Sequence, residues 1–169
     1  MEKNSTAVSR LDGIDIAILR ELQNNCRLTV KELASIVNLS PTPVFERLRR
    51  LDQTGYILRY VAVLDADKLN CGLIVFCNVK MQRINRDIAE MFVARISEIP
   101  EVTECYNISG AFDFMLKIYV SDMRSYQEFV LNVLGTIDSI ASIESTFVMA
   151  KLKDTCGIPL SRTCHREIS

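Results

Sequence analysis

Thr42, Glu46, Arg47, Arg49 and Arg50 crowd into one short stretch of sequence and bring together a hydroxyl, a carboxylate and three guanidinium forks. These groups suit the major groove of duplex DNA, where guanidinium meets guanine edges and phosphates and a carboxylate accepts from the cytosine amine. Ser40 and Pro43 stand at the start of the same stretch, and Arg59, a little further on, is placed to reach a phosphate. An ordinary amphipathic surface helix with solvated arginines would carry the same residues, so the neighbourhood has to decide between the two. Other chemistry is thin. The single histidine, His165, leaves no nucleophile–base pair, no Gly-rich phosphate loop occurs, and the carboxylates are scattered, which argues against an enzyme.

The elements around the cluster favour the groove. LDGIDIAILRELQNN repeats Leu11, Ile14, Ile18 and Leu22 at helical spacing, with Asp12 as cap and Asp15 near the positive end. Thr29 caps VKELASIV with Glu32 at the capping-box position, and Val30, Leu33, Ala34 and Val37 face inward. Asn38, Leu39 and Ser40 then break one helix and start another: Asn tolerates the left-handed backbone, Leu39 fills the corner and Ser40 can cap. Pro41 and Pro43 fit the first turn of the third helix, and Val44, Leu48 and Leu51 form its inward stripe, leaving Thr42, Glu46, Arg47, Arg49 and Arg50 outward. Gly55 ends it. Three helices with a three-residue turn between the second and third is helix-turn-helix arithmetic. YILRYVAVL, which follows, reads as an extended wing or hinge strand.

With 169 residues, 49% of them apolar and 24% charged, the chain is long enough for one ordinary domain or two small ones and too apolar to be disordered. Its net charge of −1 excludes bulk electrostatic coating of nucleic acid. Residues 1–60 nevertheless hold nine Lys/Arg against seven Asp/Glu, and the remainder eleven against fourteen, so contact with DNA is expected in the first third. The six cysteines form no CxxC pair and show no metal spacing, and they read as reduced, mostly buried small hydrophobes. The polar start and the shortness of every apolar run give no secretory signal and no span, so the expected location is cytoplasmic, without a membrane partner.

From Gly72 the period changes. GLIVFCNVKMQ alternates as a strand; Ile84–Ile99 is a helix stopped by Pro100; EVTECYNIS and FDFMLKIYV are two strands joined at Gly110. Asp122 caps a helix with Met123, Tyr126, Val130, Val133 and Ile137 inward, and Ile143–Leu152 is the last strand. The order βαββαβ gives a four-stranded antiparallel sheet with two helices on one face. The expected chain is therefore α+β, a three-helix winged helix-turn-helix followed by a ferredoxin-like βαββαβ sandwich. Its divisions are a disordered start (1–10), the DNA-binding head (11–61), a hinge (62–71), the sheet domain (72–153) and a tail (154–169). Ile74, Phe76, Tyr106, Ile108, Met115, Tyr119 and Phe147 or its neighbours put apolar groups on both sides of the sheet, so the face without helices carries enough apolar surface to imply at least a homodimer, presenting two recognition helices roughly 34–36 Å apart.

LSPTPVFERLRRLDQTGYI after a three-helix start, together with ECYNISGAFDFMLKIYVSDM and the closing STFVMAKLK, resembles the leucine-responsive regulatory protein/AsnC (Lrp/AsnC) family of bacterial and archaeal transcription regulators, from Leu11 to Lys153. The resemblance implies a nucleoid-associated regulator assembled as dimers and often octamers, with no cofactor beyond an amino-acid effector held between dimers near the SGxFD turn. Here that turn is Ser109, Gly110, Ala111, Phe112 and Asp113, with Ile108 just before it, and Met123, Thr146, Phe147 and Val148 match other positions tied to effector response. Some relatives carry an acid where Ala111 stands. The residues fit: Gly110 admits a ligand close to backbone, bared N–H groups can hold a carboxylate, and Asp113 can face an ammonium. A plain tight hairpin fits them as well.

Two rivals remain besides an enzyme. The βαββαβ order is also that of an RNA-recognition motif, but its signature needs a basic residue before Gly110 and alternating aromatics from Ala111, and neither is present. The other is an amino-acid-sensing oligomer whose helix-turn-helix contacts protein.

Overall fold

The computed structural model describes residues 11–155 and 157–160. The expected disordered start and the end of the tail, with Cys156, Cys164 and His165, lie outside the described residues. The chain divides into two compact units, one running to Val63 and taking in the segment from Lys153, the other Leu64–Leu152.

In the first unit, α1 (Gly13–Asn24), α2 (Val30–Ile36) and α3 (Pro41–Gln53) pack around Ile18, Leu33, Ala34, Val44 and Leu51, all buried. Two capping boxes start the first two helices. Asp12 accepts from the N–H groups of Ile14 and Asp15 while Asp15 accepts from that of Asp12, and Thr29 and Glu32 do the same for each other. The turn after α2 puts Asn38 at φ 54°, and Leu39 N–H reaches back to Ala34 C=O, a Schellman closure. Gly55, at φ 77°, closes α3 in the same way through Tyr56 N–H and Leu51 C=O. Ser40 stands at the N-cap of α3 but its side chain caps nothing, contrary to expectation. Pro43, two residues after Pro41, removes an N–H that a cap oxygen would normally accept.

YILRYVAVL forms no strand: no residue of it joins the sheet, and Leu58, Tyr60, Val61, Val63 and Leu64 are exposed. A strand exists only where its backbone groups pair with a neighbour, and this segment pairs with no strand of the sheet. Tyr60 instead donates to Asp52 at 3.1 Å. Beyond Lys153 the backbone lies against α1, where Gln23 Oε1 accepts from Ile158 N–H at 2.7 Å and Arg20 donates to Leu160 C=O at 3.0 Å.

The second unit holds β1 (Leu73–Met81), α4 (Arg86–Ser97), β2 (Val102–Asn107), β3 (Phe114–Val120), α5 (Met123–Asn132) and β4 (Ile140–Phe147). The strands lie in the order β2-β3-β1-β4, all neighbours antiparallel, with Val75 opposite Ile118 on one side and Phe147 on the other. Alternate residues of β1 and β3 (Val75, Cys77, Val79; Phe114, Leu116, Ile118) meet Phe92, Ile96, Tyr126 and Phe129 in one core. Helices cover that face.

Three expectations need correcting here. Met123 is exposed, and the buried residues of α5 are Tyr126 and Phe129, because a residue at the very start of a helix precedes the turn that packs. The last strand covers 140–147 and not 143–152: once Val148 N–H meets Ile74 C=O, only Leu73 of β1 remains, and Met149 and Leu152 are left exposed. Cys77 is buried, but Cys26, Cys71 and Cys105 are exposed.

Candidate DNA-reading helix and effector turn

The outer surface of α3 is built by helical period. Thr42, Phe45, Glu46 and Arg49 are all exposed, and their spacing of three, one and three places them within about 100° of arc. Arg47 and Arg50 leave this arc. Arg47 Nη1 donates to Asp12 Oδ2 at 2.6 Å and Asp15 Oδ1 at 2.7 Å, and Arg50 Nη2 donates to Asp15 Oδ2 at 2.6 Å. The Asp15 side chain is 1% exposed and spans both guanidinium groups with its two oxygens. The expectation that Arg47 and Arg50 face outward with Thr42 and Glu46 is therefore corrected. A buried carboxylate on α1 must be compensated, and the arginines one turn apart on α3 do it. Partial burial works against the charge of Asp12, yet the Asp15 N–H and the Arg47 guanidinium hold its pKa below the ordinary value. Hydrogen bonds to Asp15 and then Asp12 raise that of Arg47. Ser40 is exposed at the head of α3, Pro43 is half-buried, and Arg59 is exposed beyond the helix.

The turn between β2 and β3 leaves Ser109, Gly110 and Ala111 exposed, with Ile108 half-buried. Gly110 has φ 129°, a region that L side chains rarely adopt, although a Cβ there would meet nothing within 4 Å. Conformation, and not space, selects glycine. Asp113 is the anchor: its C=O accepts from Ile108 N–H at 3.0 Å and from Asn107 Nδ2 at 2.9 Å, and its own N–H donates to Val79 C=O at 2.9 Å. The carboxylate accepts from Met81 N–H at 2.8 Å and lies 3.2 Å from Lys80 Nζ. The Met81 N–H first, and Lys80 with it, draw the Asp113 pKa down against the opposing effect of desolvation. The ammonium facing Asp113 is thus Lys80 of the same chain, a correction to the reading of this acid as an open ligand for an effector amine.

Sheet register separates the remaining effector candidates from this turn. Asp113 and Phe114 sit by Val79, whereas Phe147 sits opposite Val75 and Val148 bonds Ile74. Met123 follows β3 from Val120, the partner of Leu73, and so belongs to that far end as well. Four residues of strand, about 13 Å, lie between the two groups. Thr146 and Phe147 also point to opposite faces: Thr146 is exposed, while Phe147 packs edge-on to Tyr126 at 5.3 Å among the core residues. A cleft of about 450 Å³ lined by Tyr119, Ser121, Ser125 and Glu128 includes none of the ten positions from Ile108 to Asp113, Met123 and Thr146 to Val148.

The uncovered sheet face mixes apolar and ionic groups. Ile74, Phe76, Met115 and Tyr119 alternate with the core residues, and Lys117 pairs with Glu104 at 2.7 Å beneath the exposed Tyr106, whose hydroxyl also bonds Glu104. Hydrogen bonds from Lys117 and Tyr106 hold the Glu104 pKa low. Among the described residues no group of three or more His, Cys, Asp or Glu is placed to hold a metal, and no helix is long and apolar enough to cross a membrane.

Comparison with known proteins gives a family for each of the two units. A family model described as a winged helix-turn-helix, DNA-binding, matches residues 11–57, and one described as the Lrp/AsnC ligand binding domain matches residues 74–158. The chain is 34% identical to the DNA-binding transcriptional activator DecR of Escherichia coli K12, covering 89% of this chain and 99% of that protein. It is 37% identical to the leucine-responsive regulatory protein of Salmonella typhimurium, covering 86% and 88%. A transcriptional regulator of Neisseria meningitidis solved in complex with L-Met superposes with a TM-score of 0.86 at 37% identity, covering 89% of this chain and 97% of that one.

Proposed function

This chain belongs to the Lrp/AsnC family of DNA-binding transcriptional regulators and is not an enzyme, and from that premise we propose where it holds its duplex and its effector. The exposed arc of α3 enters the major groove, with Thr42, Glu46 and Arg49 toward base edges, Ser40 and Pro43 at the approaching end and Arg59 on a phosphate. Arg47 and Arg50 stiffen that helix from behind through Asp15.

The effector is an amino acid. A relative solved with L-Met supports this class, as does a turn whose exposed backbone at Ser109–Ala111 can take a carboxylate. Asp113 keeps the turn in shape. The site is completed by Met123, Thr146 and Val148 of a second copy, with Phe147 backing the strand from the core. The observation that carries this reading is the separation along β1: one chain holds the two halves about 13 Å apart, so a small ligand touches both only where copies meet. Homo-oligomers follow, with the open sheet face, where Ile74, Phe76, Met115 and Tyr119 are half-buried and Tyr106 is exposed, and the 58–64 segment, with its exposed apolar side chains, as the surfaces that are buried between copies. A dimer assembling further, up to an octamer, acting on DNA in the cytoplasm as part of the nucleoid, is the form proposed.

A thermal-shift panel of the twenty amino acids identifies the effector, since a ligand selective for the native state raises the melting temperature. Ser109→Trp and Thr146→Trp variants, each expected to lose that shift, are then co-refolded. Mixed oligomers regain part of the shift if the site is shared between copies. A mixture as unresponsive as its components defeats the composite site.

A further inference from the structure

Phe45 is 55% exposed at one edge of the outer arc of α3, although Val44 and Leu51 of the same helix are completely buried. The ring lies outside the buried core of the helical unit. It stands one turn after Thr42 and one turn before Arg49, beside Glu46, so every other side chain on its arc is a hydrogen-bonding group. The two arginines that could have folded over it are held on the opposite side by Asp12 and Asp15.

An apolar ring among donors and acceptors on a groove-facing helix has one complementary feature in B-DNA. Thymine alone carries an apolar group, its C5-methyl, at the major-groove edge, and phenylalanine is among the side chains that read it. The neighbours then sort by chemistry: Glu46 accepts from a cytosine amine, and Arg49 forks onto guanine or a phosphate. We propose that Phe45 is a specificity-determining residue that packs on a thymine methyl and makes this regulator prefer T at one position of each half-site. The proposal rests on α3 docking in the major groove, and it adds a base contact that the charged residues of the helix cannot make.

The test uses the full-length protein at fixed ionic strength. Duplexes are enriched from a random-sequence pool, and each thymine of the enriched half-site is replaced in turn by deoxyuridine, which deletes only the methyl. Loss of one buried methyl-sized contact predicts a roughly four-fold weaker complex at a single position. Phe45→Ala should bind the unmodified site more weakly and be indifferent to that replacement, while Phe45→Leu, still apolar, should keep part of the sensitivity. Melting curves of both variants should match the parent, because the ring is outside the core. Enrichment followed by deoxyuridine insensitivity at every position, or by equal sensitivity in Phe45→Ala, overturns the role of Phe45 and leaves groove docking standing. Failure to enrich any sequence overturns both.

Discussion

The two units solve the problem of building a site in opposite ways. In the helical unit everything lies on one element: Thr42, Phe45, Glu46 and Arg49 share an arc of α3, and a single buried acid, Asp15, keeps Arg47 and Arg50 off it. In the sheet unit the effector candidates occupy both ends of β1, and no local element joins them. A helix gathers residues three and four apart; a strand sends its neighbours to opposite faces and its ends apart. On the function proposed above, folding finishes the first site, and a second copy completes the other.

The sharpest way to break the contrast is to remove what keeps the helical site self-sufficient. Asp15→Ala deletes a buried carboxylate paired with two guanidinium groups and should cost about 3 kcal/mol. In so small a unit that lowers the melting midpoint by on the order of 12 °C. Calorimetry showing an unchanged transition of the helical unit would mean that the Arg47–Asp15–Arg50 cluster is ornamental. Next in size is a pair of arginine variants with opposite signatures. Arg49→Ala should weaken specific duplex binding by about 1–3 kcal/mol with no change in melting. Arg47→Ala should lower stability by about 2 kcal/mol, since it breaks charge-assisted bonds to Asp12 and Asp15. Salt-controlled titrations paired with melts separate them. If the two variants exchange signatures, the arc has been drawn on the wrong side of α3.

That pair also marks where the sequence stops being legible. The stripe Val44–Leu48–Leu51, the capping boxes at Asp12 and Thr29 and the stop at Gly55 are readable because each is a local rule acting within one turn. Whether an arginine on the flank of that stripe faces solvent or an acid on α1 is not local. It depends on Asp15 arriving from some thirty residues away, although an aspartate inside an apolar stripe is itself a hint of a buried partner. Phe45 was hidden for the converse reason, since an aromatic in an amphipathic helix is expected inside. In the sheet unit strand order followed from βαββαβ, but register did not, and register decides that Thr146 and Ser109 lie at different ends. The YILRYVAVL segment shows the same limit: β-branched composition signals a strand, and only the presence of a partner edge makes one.

Smaller effects sharpen the sheet side of the comparison. Gly110→Ala places a side chain at φ 129° with free space around it, so strain alone should cost about 1 kcal/mol and blunt the amino-acid response while leaving oligomer size intact. Finest of all is the titration of Asp113. Its native pKa is depressed, chiefly by the Met81 N–H and then by Lys80. The stabilisation it supplies is therefore complete above the ordinary aspartate value, ~3.9, and is lost as the pH falls through the lower native value. Asp113→Asn keeps the shape of the side chain and removes the titration. Melting of the sheet unit from pH 6 down to 2 should fall less steeply in the variant than in the parent, with the gap between them narrowing only at the acid end. Parallel curves over that range would show that the carboxylate does not anchor the turn, and the ammonium of Lys80 would then be free to meet an effector carboxylate.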